Sequence, residues 1–520
     1  MKNAFAFLFF LGLISTGQAQ TPTWSDNVAC IVYNRCYSCH YTGGPTPFSL
    51  KTYSEAFLVR NAMKSAVQAR RMPPWPADPS YRTHAHERYL TQGEIDLIKN
   101  WVDAGAPEGN PNNAPNPPAI NTGSQIGTLS WSGKMSDYVN PLNQEDYRCF
   151  VIPLNNAQAV YLSAMEVIPG NREMVHHCLV YADNTGIPAQ LDANDPLPGY
   201  TNFGGTGSQD SKFLGGWVPG GDPIVYPAGM GMKLEPNSSL VLQMHYPINT
   251  QGKLDSTRVN LKFASGTTRE VMNMPILNHI TTINQPLVIP ANTVRSFTAD
   301  YTIPYNTTLL SIMPHMHLIG KSMKIYALPP VGDTIPLVNI PNWDFSWQGT
   351  YSFRKPLILP ANSVLKAEAV YDNTTNNPNN PSNPPQTVTA GEATTDEMLI
   401  AYFSFLIPSF ASDANIVIDV DTVPPGIAQC MVLSNPDFPE ATPLKLYPNP
   451  TSERATLQIP ESWKTPEIRL TDASGRELPV SSIRIQNELL LEGLPSSPGI
   501  YTLTVRHEGQ HWIGRLSIAP

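Results

Sequence analysis

The sequence of 520 residues has few charged side chains and no block rich in lysine or arginine. Charged residues make up 14% of the chain, and the formal net charge is −9. An acidic chain without a basic patch lacks the groups that bind a phosphate backbone, which excludes a nucleic-acid partner. Beyond the N-terminus, no apolar run is long enough to cross a bilayer as a helix, so we expect no transmembrane anchor.

The sequence also has little of the charged, periodic pattern that marks long solvated helices. It contains 52 prolines and 34 glycines, with short β-branched and aromatic runs between them. Such a composition predicts a mainly β protein. Because one hydrophobic core rarely exceeds roughly 250 to 300 residues, the length predicts several folded units.

The N-terminus has the features of a secretory signal. Lys2 precedes an apolar run from Ala4 to Ile14, and small residues lie just before Gln20. We therefore predict a signal peptide over residues 1–19 and a mature protein that folds in an oxidising compartment.

A short motif after this segment indicates covalent haem. Cys36, Cys39 and His40 form a C-x-x-C-H pattern, in which two thiols bind the haem vinyl groups and the histidine binds iron. A disulfide between the two cysteines and half of a zinc site remain the alternatives. Met72, followed by Pro73, is the candidate for the second axial ligand, with Trp75 packing on the porphyrin. His84 and His86 are rival ligands.

Apolar residues at helical spacing follow, over 91–104, with Thr91 as the cap. The helix and the C-x-x-C-H motif resemble small class I c-type cytochromes, which implies a small α-helical cytochrome c-like haem domain over residues 24–110. The next stretch, residues 111–130, is rich in Pro, Asn and Gly and predicts a linker.

Five of the eleven histidines cluster in the middle of the chain: His176, His177, His245, His315 and His317. Because alternate residues of a strand face the same side, His315 and His317 can chelate one ion. The adjacent His176 and His177 can do so only at a bulge or a strand end. Imidazole suits zinc, copper, iron or nickel, and a thioether in the set favours copper.

The order of these elements resembles the copper type II ascorbate-dependent monooxygenases, a family that includes dopamine β-monooxygenase and peptidylglycine α-hydroxylating monooxygenase. The resemblance rests on His176-His177, the Leu242–Tyr246 element, the His315–Lys321 element, the Asn342–Gln348 element, Val370–Asn373 and Thr394–Met398. It implies two tandem jelly-roll β-sandwiches, over residues 131–280 and 281–437, and two copper ions.

The resemblance also implies residue roles. His176, His177 and His245 correspond to the electron-storing copper site. His315, His317 and Met398 correspond to the copper at which O₂ reacts, and Tyr402 matches a tyrosine of the substrate pocket. A disulfide between Cys149 and Cys430 would join the two ends of this region.

The sequence departs from the peptidylglycine enzyme at two positions of this pocket. Met313 stands in place of an arginine and Ile400 in place of an asparagine. Both of those groups help to hold a peptide carboxylate in that enzyme, so a glycine-extended peptide substrate is disfavoured here.

The C-terminal part, residues 443–520, has alternating strands that predict a small β-sandwich. Its Tyr447-Pro448-Asn449-Pro450 and Gly499-Ile500-Tyr501 motifs resemble the type IX secretion sorting domain. The resemblance implies that the secretion machinery is a partner and that the protein is exported, either secreted or attached to the outer cell surface.

Together these features predict a copper monooxygenase that hydroxylates a small organic substrate with O₂. The expected cofactors are two copper ions and one covalently bound haem c, which relays electrons from an ascorbate-like reductant or a redox protein. The alternative is a cell-surface haem and copper protein that transfers electrons or binds copper without hydroxylase activity.

Overall fold

The computed structural model describes residues 21–44, 46–119, 124–202, 204–418, 444–460, 463, 466–472, 477–507 and 510–518. The expected signal peptide and Cys430 lie outside these residues. The chain forms two compact units, residues 1–427 and 428–520. The described part is 38% strand and 12% helix, which confirms the prediction of a mainly β protein with a small helical region at its start. No helix in the described part is long and apolar enough to span a membrane.

The first unit begins with a small helical region. Its helices are α1 (Ala29–Arg35), α2 (Tyr53–Gln68) and α3 (Gln92–Asp103), with a π-helical turn at Trp24–Val28 and a 3₁₀ turn at Pro111–Asn113. Thr91 caps α3 through a reciprocal bond pair with Glu94, because Thr91 Oγ1 accepts from the Glu94 amide and the Glu94 carboxylate accepts from the Thr91 amide. The buried face of α3 carries Trp101, whose ring packs 6.1 Å from that of Trp24.

A first β-sandwich follows. Its strands are β1 (Trp131–Lys134), β2 (Tyr138–Val139), β3 (Asp146–Pro153), β4 (Val160–Ile168), β5 (His177–Asp183), β6 (Tyr200–Thr201), β7 (Lys212–Trp217), β8 (Ile224–Val225), β9 (Met230–Leu234), β10 (Ser239–Tyr246), β11 (Leu254–Asp255), β12 (Arg258–Phe263) and β13 (Arg269–Glu270), with helix α4 (Ile187–Asn194) after β5. One sheet has the order β1-β12-β4-β9-β13, with β8 beside β4, and the facing sheet has the order β6-β3-β10-β5-β7. Their inner faces bury one apolar core.

A second β-sandwich is built the same way. Its strands are β14 (Met272–Asn278), β15 (Val288–Ile289), β16 (Thr293–Thr302), β17 (Thr307–His315), β18 (Gly320–Leu328), β19 (Ile335–Ile340), β20 (Tyr351–Leu359), β21 (Val364–Asn373), β22 (Val388–Thr389) and β23 (Ile400–Leu406), followed by a 3₁₀ turn at Ala411–Asn415. Its two main sheets have the orders β14-β23-β17-β20 and β16-β21-β18-β19. The strands alternate between buried and more exposed residues, as in Val364–Asn373.

The segment between α2 and α3 packs on the second sandwich, and we call residues 75–88 the strap. The Ala85 amide donates to the Ser352 carbonyl over 2.8 Å, and the Asp78 amide donates to the Asn339 carbonyl over 2.8 Å. The buried His84 forms an isolated bridge with Phe353 of β20. The helical region is thereby tied to the second sandwich by main-chain bonds.

The second unit is a small β-sandwich, as predicted. Its strands are β24 (Leu446–Tyr447), β25 (Ala455–Gln458), β26 (Glu467–Thr471), β27 (Glu477–Leu478), β28 (Ser481–Ile485), β29 (Glu488–Glu492), β30 (Gly499–His507) and β31 (Gln510–Ile518). They form two sheets, β24-β25-β29-β28 and β27-β26-β30-β31. Leu457, Leu491 and Leu503 lie in the core between the sheets.

The predicted disulfide between Cys149 and Cys430 is wrong. Cys149 carries a free, fully buried thiol. It lies in β3, where the backbone of Gly205 and the ring of Tyr200 surround it. Burial raises the pKa of this thiol to about 12, so Cys149 acts as a small apolar core residue.

Candidate functional site

The register of two neighbouring strands, β5 and β10, brings together His176, His177 and His245. His245, near the end of the central strand β10, lies directly opposite His177 in β5. His176 precedes β5, and its amide donates to the His245 carbonyl over 3.0 Å. Because His177 is the first residue of its strand, the chain can turn the ring of His176 toward the same point. We call these residues the three-histidine cluster.

The ring nitrogens of this cluster are close enough to share one ion. One nitrogen from each ring lies within 4.8 Å of the others. His176 Nδ1 is 3.2 Å from both His177 Nδ1 and His245 Nδ1. Burial lowers the pKa of all three imidazoles, that of His245 to about 3. The rings therefore stay neutral near pH 7, which is the form that binds a metal.

Aromatic packing holds His245 in place. The ring of Tyr147, on the adjacent strand β3, stacks on the imidazole with centroids 4.3 Å apart and planes 5° apart. His245 Nε2 is buried without a hydrogen-bond partner in the described structure, and its nearest charged group is Glu145 Oε1 at 3.8 Å. This packing fixes the ring plane and leaves Nδ1 directed at the other two histidines.

A second set lies where β17 and β23 pair. His315, the last residue of β17, is opposite Ile400, the first residue of β23. If the antiparallel register is continued by two residues, His317 falls opposite Met398. Side chains two apart share a face, and His315, His317 and Met398 all line one cavity. We call these three residues the thioether set.

Hydrogen bonds select which nitrogen of each ring in the thioether set is open. His315 Nδ1 donates to Gln348 Oε1, and His317 Nδ1 donates to the Asp396 carbonyl over 3.1 Å. Both Nε2 atoms are left for a ligand, since such partners fix the tautomer and orient the ring. Burial lowers the pKa of His315 to about 3 and also lowers that of His317. Neutral imidazoles again result.

A buried carboxylate supports the backbone of this set. Glu397 accepts hydrogen bonds from the amides of His317 at 2.9 Å, Ile319 at 2.8 Å and Met398 at 3.2 Å. Burial raises the pKa of this carboxyl to about 8, against these bonds, which lower it. Glu397 therefore ties together the two chain segments that carry His317 and Met398. Sequence reasoning missed this role, although Glu397 stands directly beside Met398.

His279 is a further residue that the motifs did not indicate. Its imidazole is near enough to His315 and His317 to lower their pKa values electrostatically. Its Nδ1 accepts a hydrogen bond from the Leu399 amide over 3.4 Å. His279 thus braces the segment beside Met398.

One cavity of about 710 Å³ is lined by His176 and His177 and by the whole thioether set. Part of its wall is aromatic, because the Phe213 ring lies 5.3 Å from Tyr181 and 5.0 Å from Tyr402. Polar and apolar side chains share the rest of the wall, and a cavity of this size is large enough to hold a small molecule.

The residues around Tyr402 give the cavity its chemical character. Met313 and Ile400, the two departures noted in the sequence, both line it and offer no charge to a carboxylate. Glu392 lies in the wall as well, and burial raises the pKa of its carboxyl. Sequence reasoning missed Glu392, which lies on a loop beside Gly204.

The C-x-x-C-H residues have the free groups that covalent haem attachment would use. Cys36 and Cys39 both carry free thiols, so the alternative disulfide between them does not form. His40 Nδ1 donates to the Phe48 carbonyl over 3.4 Å, a bond that leaves Nε2 for iron. The His40 ring lies 4.6 Å from the ring of Phe48 on a partly exposed face. Two free thiols and an available His40 Nε2 are compatible with the haem that the sequence motif predicts.

The candidates for the second axial ligand are placed differently. Met72 is 43% exposed. His84 is buried in the second sandwich and donates from Nε2 to the Leu337 carbonyl over 3.0 Å, while His86 lines the cavity. Trp75, expected against the porphyrin, packs instead on Tyr351 with ring centroids 5.3 Å apart. Of the three candidate ligands, Met72 is the one that offers a thioether on an exposed side chain.

Comparison with known families gives two matches within the chain. Residues 131–253 match the copper type II ascorbate-dependent monooxygenase, N-terminal domain, and residues 445–519 match the secretion system C-terminal sorting domain. The first match contains His176, His177 and His245 and ends before His315. Neither match covers the C-x-x-C-H segment. No curated protein matches the chain.

Solved structures are only distantly similar. PNGase F, a glycosylasparaginase from Flavobacterium meningosepticum, has 10% identity and a TM-score of 0.25, over 53% of this chain and 96% of that chain. An allantoicase has 12% identity and a TM-score of 0.14, over 44% of this chain and 78% of that chain. Scores this low carry no argument about fold or function.

The two family matches support coarse conclusions. The copper-family domain indicates a copper-dependent oxidoreductase related to monooxygenases. The sorting domain indicates export, with secretion or attachment to the cell surface, and the secretion machinery as a partner.

Proposed function

We propose that this protein is a copper monooxygenase that hydroxylates a C–H bond of a small organic substrate. The observation that carries the proposal is the pair of donor sets facing one cavity, three histidines at one place and two histidines with Met398 at the other. Each reaction consumes O₂, two electrons and two protons, and yields hydroxylated substrate and water. Two metal sites are suited to supplying two electrons one at a time.

The two sets have donors suited to different tasks. The three-histidine cluster, within the copper-family match, would hold the electron-storing copper. The thioether set would hold the copper at which O₂ reacts, because a thioether stabilises Cu(I). When bound, copper supplies the one-electron chemistry that O₂ reduction needs. The protein orients the imidazoles through Gln348 and the Asp396 carbonyl.

The cavity wall limits the substrate class. Tyr181, Phe213 and Tyr402 offer aromatic surface for an apolar or aromatic body. Near Tyr402, the carboxyl group of Glu392 and the uncharged Met313 and Ile400 give an anionic substrate no favourable partner. Arg88, which also lines the cavity, is paired with Asp222. A small neutral or cationic molecule therefore fits better than a peptide carboxylate.

The attached haem would serve electron supply. Cys36, Cys39 and His40 would hold it, with Met72 as the proposed second ligand. Its chemistry when bound is one-electron exchange between Fe(II) and Fe(III). An ascorbate-like reductant or a redox protein would reduce it, and the copper of the three-histidine cluster would be the acceptor.

An isotope experiment tests the hydroxylation. Purified protein loaded with copper is mixed with a reductant, ¹⁸O₂ and a metabolite mixture, and products are analysed by mass spectrometry. We expect a product that carries one labelled oxygen and is absent without copper. If both copper sites fill but no labelled product forms, the hydroxylase proposal is wrong and a copper-binding or electron-transfer role replaces it.

A further inference from the structure

The C-x-x-C-H segment lies against a glycine turn of the first sandwich. Gly220, in the turn between β7 and β8, lies against the Cys39 sulfur, and a Cβ built on Gly220 would overlap that sulfur. Gly220 also has a φ of +78°, a backbone conformation that other residues rarely adopt. Both the limited space around residue 220 and its backbone conformation therefore require glycine at this contact, where the Cys39 thiol meets the domain that matches the copper family.

An ion pair holds this contact from the side. Arg88, at the end of the strap, donates from Nη2 to Asp222 Oδ2 over 2.8 Å, and its side chain is only 13% exposed. Arg88 Nη1 lies 3.3 Å from the position of a Gly220 Cβ. The preceding residue, Glu87, accepts a 3.1 Å hydrogen bond at its carbonyl from Arg35, which adjoins Cys36. Arg88 therefore links the haem-attachment helix to the turn.

The same turn leads directly to the three-histidine cluster. It is closed by a 2.7 Å hydrogen bond from the Gly221 amide to the Val218 carbonyl. Trp217, the last residue of β7, precedes it and pairs in register with Cys178 of β5. Cys178 adjoins His177. The path from the Cys39 sulfur to His177 thus has one van der Waals contact and otherwise follows backbone and cross-strand hydrogen bonds.

A second path leaves the same place toward the other metal set. The Arg88 guanidinium carbon lies 5.9 Å from the centre of the Trp347 ring. Trp347 is followed by Gln348, whose side chain accepts the bond from His315. This path crosses two gaps between side chains, from Gly220 to Arg88 and from Arg88 to Trp347. The path through Trp217 is the more continuous one.

We propose that the turn at residues 218–222, held by the Arg88–Asp222 ion pair, is the electron-entry port of the copper domain, with Trp217 leading to His177. The inference rests on the proposed function and adds the residues that position the donor. In each transfer one electron leaves Fe(II), which becomes Fe(III), and reduces one Cu(II) to Cu(I). An external one-electron reductant restores Fe(II), and the transfer itself breaks no covalent bond.

Substituting the glycine tests the port. In Gly220→Ala, haem reoxidation by the copper-loaded protein, followed by stopped-flow absorbance, should slow severalfold because the sulfur must move away. Gly252→Ala is the matched control, since Gly252 has a φ of +75° but open space around its Cβ position. Haem and copper contents are measured for both. An unchanged rate in Gly220→Ala, with both metals bound, would overturn the port.

A milder substitution, at Asp222, tests the positioning of the turn without a risk to folding. Asp222 is exposed, so Asp222→Asn removes the ion pair without disturbing a core. We expect slower haem reoxidation in this variant and a weaker dependence of the rate on ionic strength than in the wild type. A rate and a salt dependence equal to those of the wild type would contradict a role for the Arg88–Asp222 ion pair.

The two paths are distinguished by their tryptophans. The path to His177 follows the backbone of Trp217, whereas the other path passes through the Trp347 ring. Trp347→Leu should therefore leave haem reoxidation unchanged, provided that its copper EPR signals match the wild type. Slower reoxidation in Trp347→Leu would place electron entry at the thioether set and overturn the proposal. The proposed function is judged separately, because the ¹⁸O label in wild-type product with ascorbate as reductant does not depend on the port.

Discussion

The two candidate copper sites are built in different ways from the same material, neighbouring antiparallel strands. In the three-histidine cluster the ring nitrogens face one another, 3.2 Å apart at the closest, and strand register alone brings them together. In the thioether set each Nδ1 is already bonded, and Gln348 and Glu397 hold the rings and backbone from other segments. The second site therefore depends more on its supporting residues, as expected of a site that handles substrate.

Replacing the thioether of Met398 should have the largest effect on one site without affecting the other. Met398→Ile removes the sulfur and keeps an apolar side chain of similar size. We expect labelled product to fall below detection, since the thioether that favours Cu(I) is lost, while the copper in the three-histidine cluster keeps its EPR signal. Product formation and EPR are measured on the same copper-loaded sample.

The control for this variant is another buried methionine of the same sandwich. Met323 is fully buried in the core of the second sandwich. Met323→Ile should cost less than about 1.5 kcal/mol of stability and retain hydroxylation. If Met398→Ile also retains hydroxylation, Met398 is not a ligand, and the distinction between the two sites disappears.

Removing the side-chain amide of Gln348 should have the next largest effect. Gln348→Leu removes the acceptor that fixes His315, so copper affinity at the thioether set or turnover should fall by roughly 10- to 100-fold. Gln285→Leu, on the surface of the same sandwich, is the control and should change neither. Copper titration with EPR detection assigns the loss to one site. An equal loss at the three-histidine cluster would refute the selective role of Gln348.

Local spacing predicted one half of each site, and the register of distant strands supplied the other. His315 and His317 are two residues apart, so the sequence alone put them on one face. The pairing of His245 with His177 depends on strands nearly seventy positions apart along the chain, so spacing could offer His245 as a third ligand but could not place it opposite His177. Gln348 and Glu397 act through loops, where no periodicity marks an inward-facing side chain.

The strap shows a different limit of sequence reasoning. Trp75 and His84 follow the haem motif in the chain, which makes Trp75 a candidate to pack on the porphyrin and His84 a rival axial ligand. Main-chain bonds from Asp78 and Ala85 instead attach them to the second sandwich, whose edge offered acceptors that the sequence does not reveal. The free thiol of Cys149 shows the same limit, because the position of a cysteine near the end of a domain does not determine its disulfide partner.

Acid should affect the two metal-free sites alike. Burial lowers the pKa of His245 and of His315 from 6.5 to about 3 in the folded protein. Well above pH 6.5 neither the folded nor the unfolded state binds the extra proton. As the pH falls toward 3, the unfolded chain takes up protons that the folded protein does not, so the free energy of unfolding decreases. At pH 5 the loss is about 2 kcal/mol for each such histidine.

Chemical denaturation of the metal-free protein at pH 7 and pH 5 measures this loss. His245→Gln and His315→Gln should each flatten the decrease by a similar amount. His84→Gln should do so as well, because His84 is a buried histidine outside both sets, with a pKa lowered to about 4. If His245→Gln and His84→Gln flatten the decrease in unfolding free energy but His315→Gln does not, protons reach the thioether set in the folded protein. The two sites would then differ in burial as well.

The smallest expected effect comes from removing the Tyr147 ring that stacks on His245 of the three-histidine cluster. Tyr147 lies flat on His245, and an aromatic pair of this kind is worth about 0.5 to 1.5 kcal/mol beyond its buried area. Tyr147→Leu should weaken copper binding at that cluster by a corresponding few-fold and leave the thioether set unchanged, whereas Tyr147→Phe should bind like the wild type. Isothermal titration with EPR assignment checks both. Equal weakening in the phenylalanine variant would mean that the hydroxyl, rather than the stacked ring, orients His245.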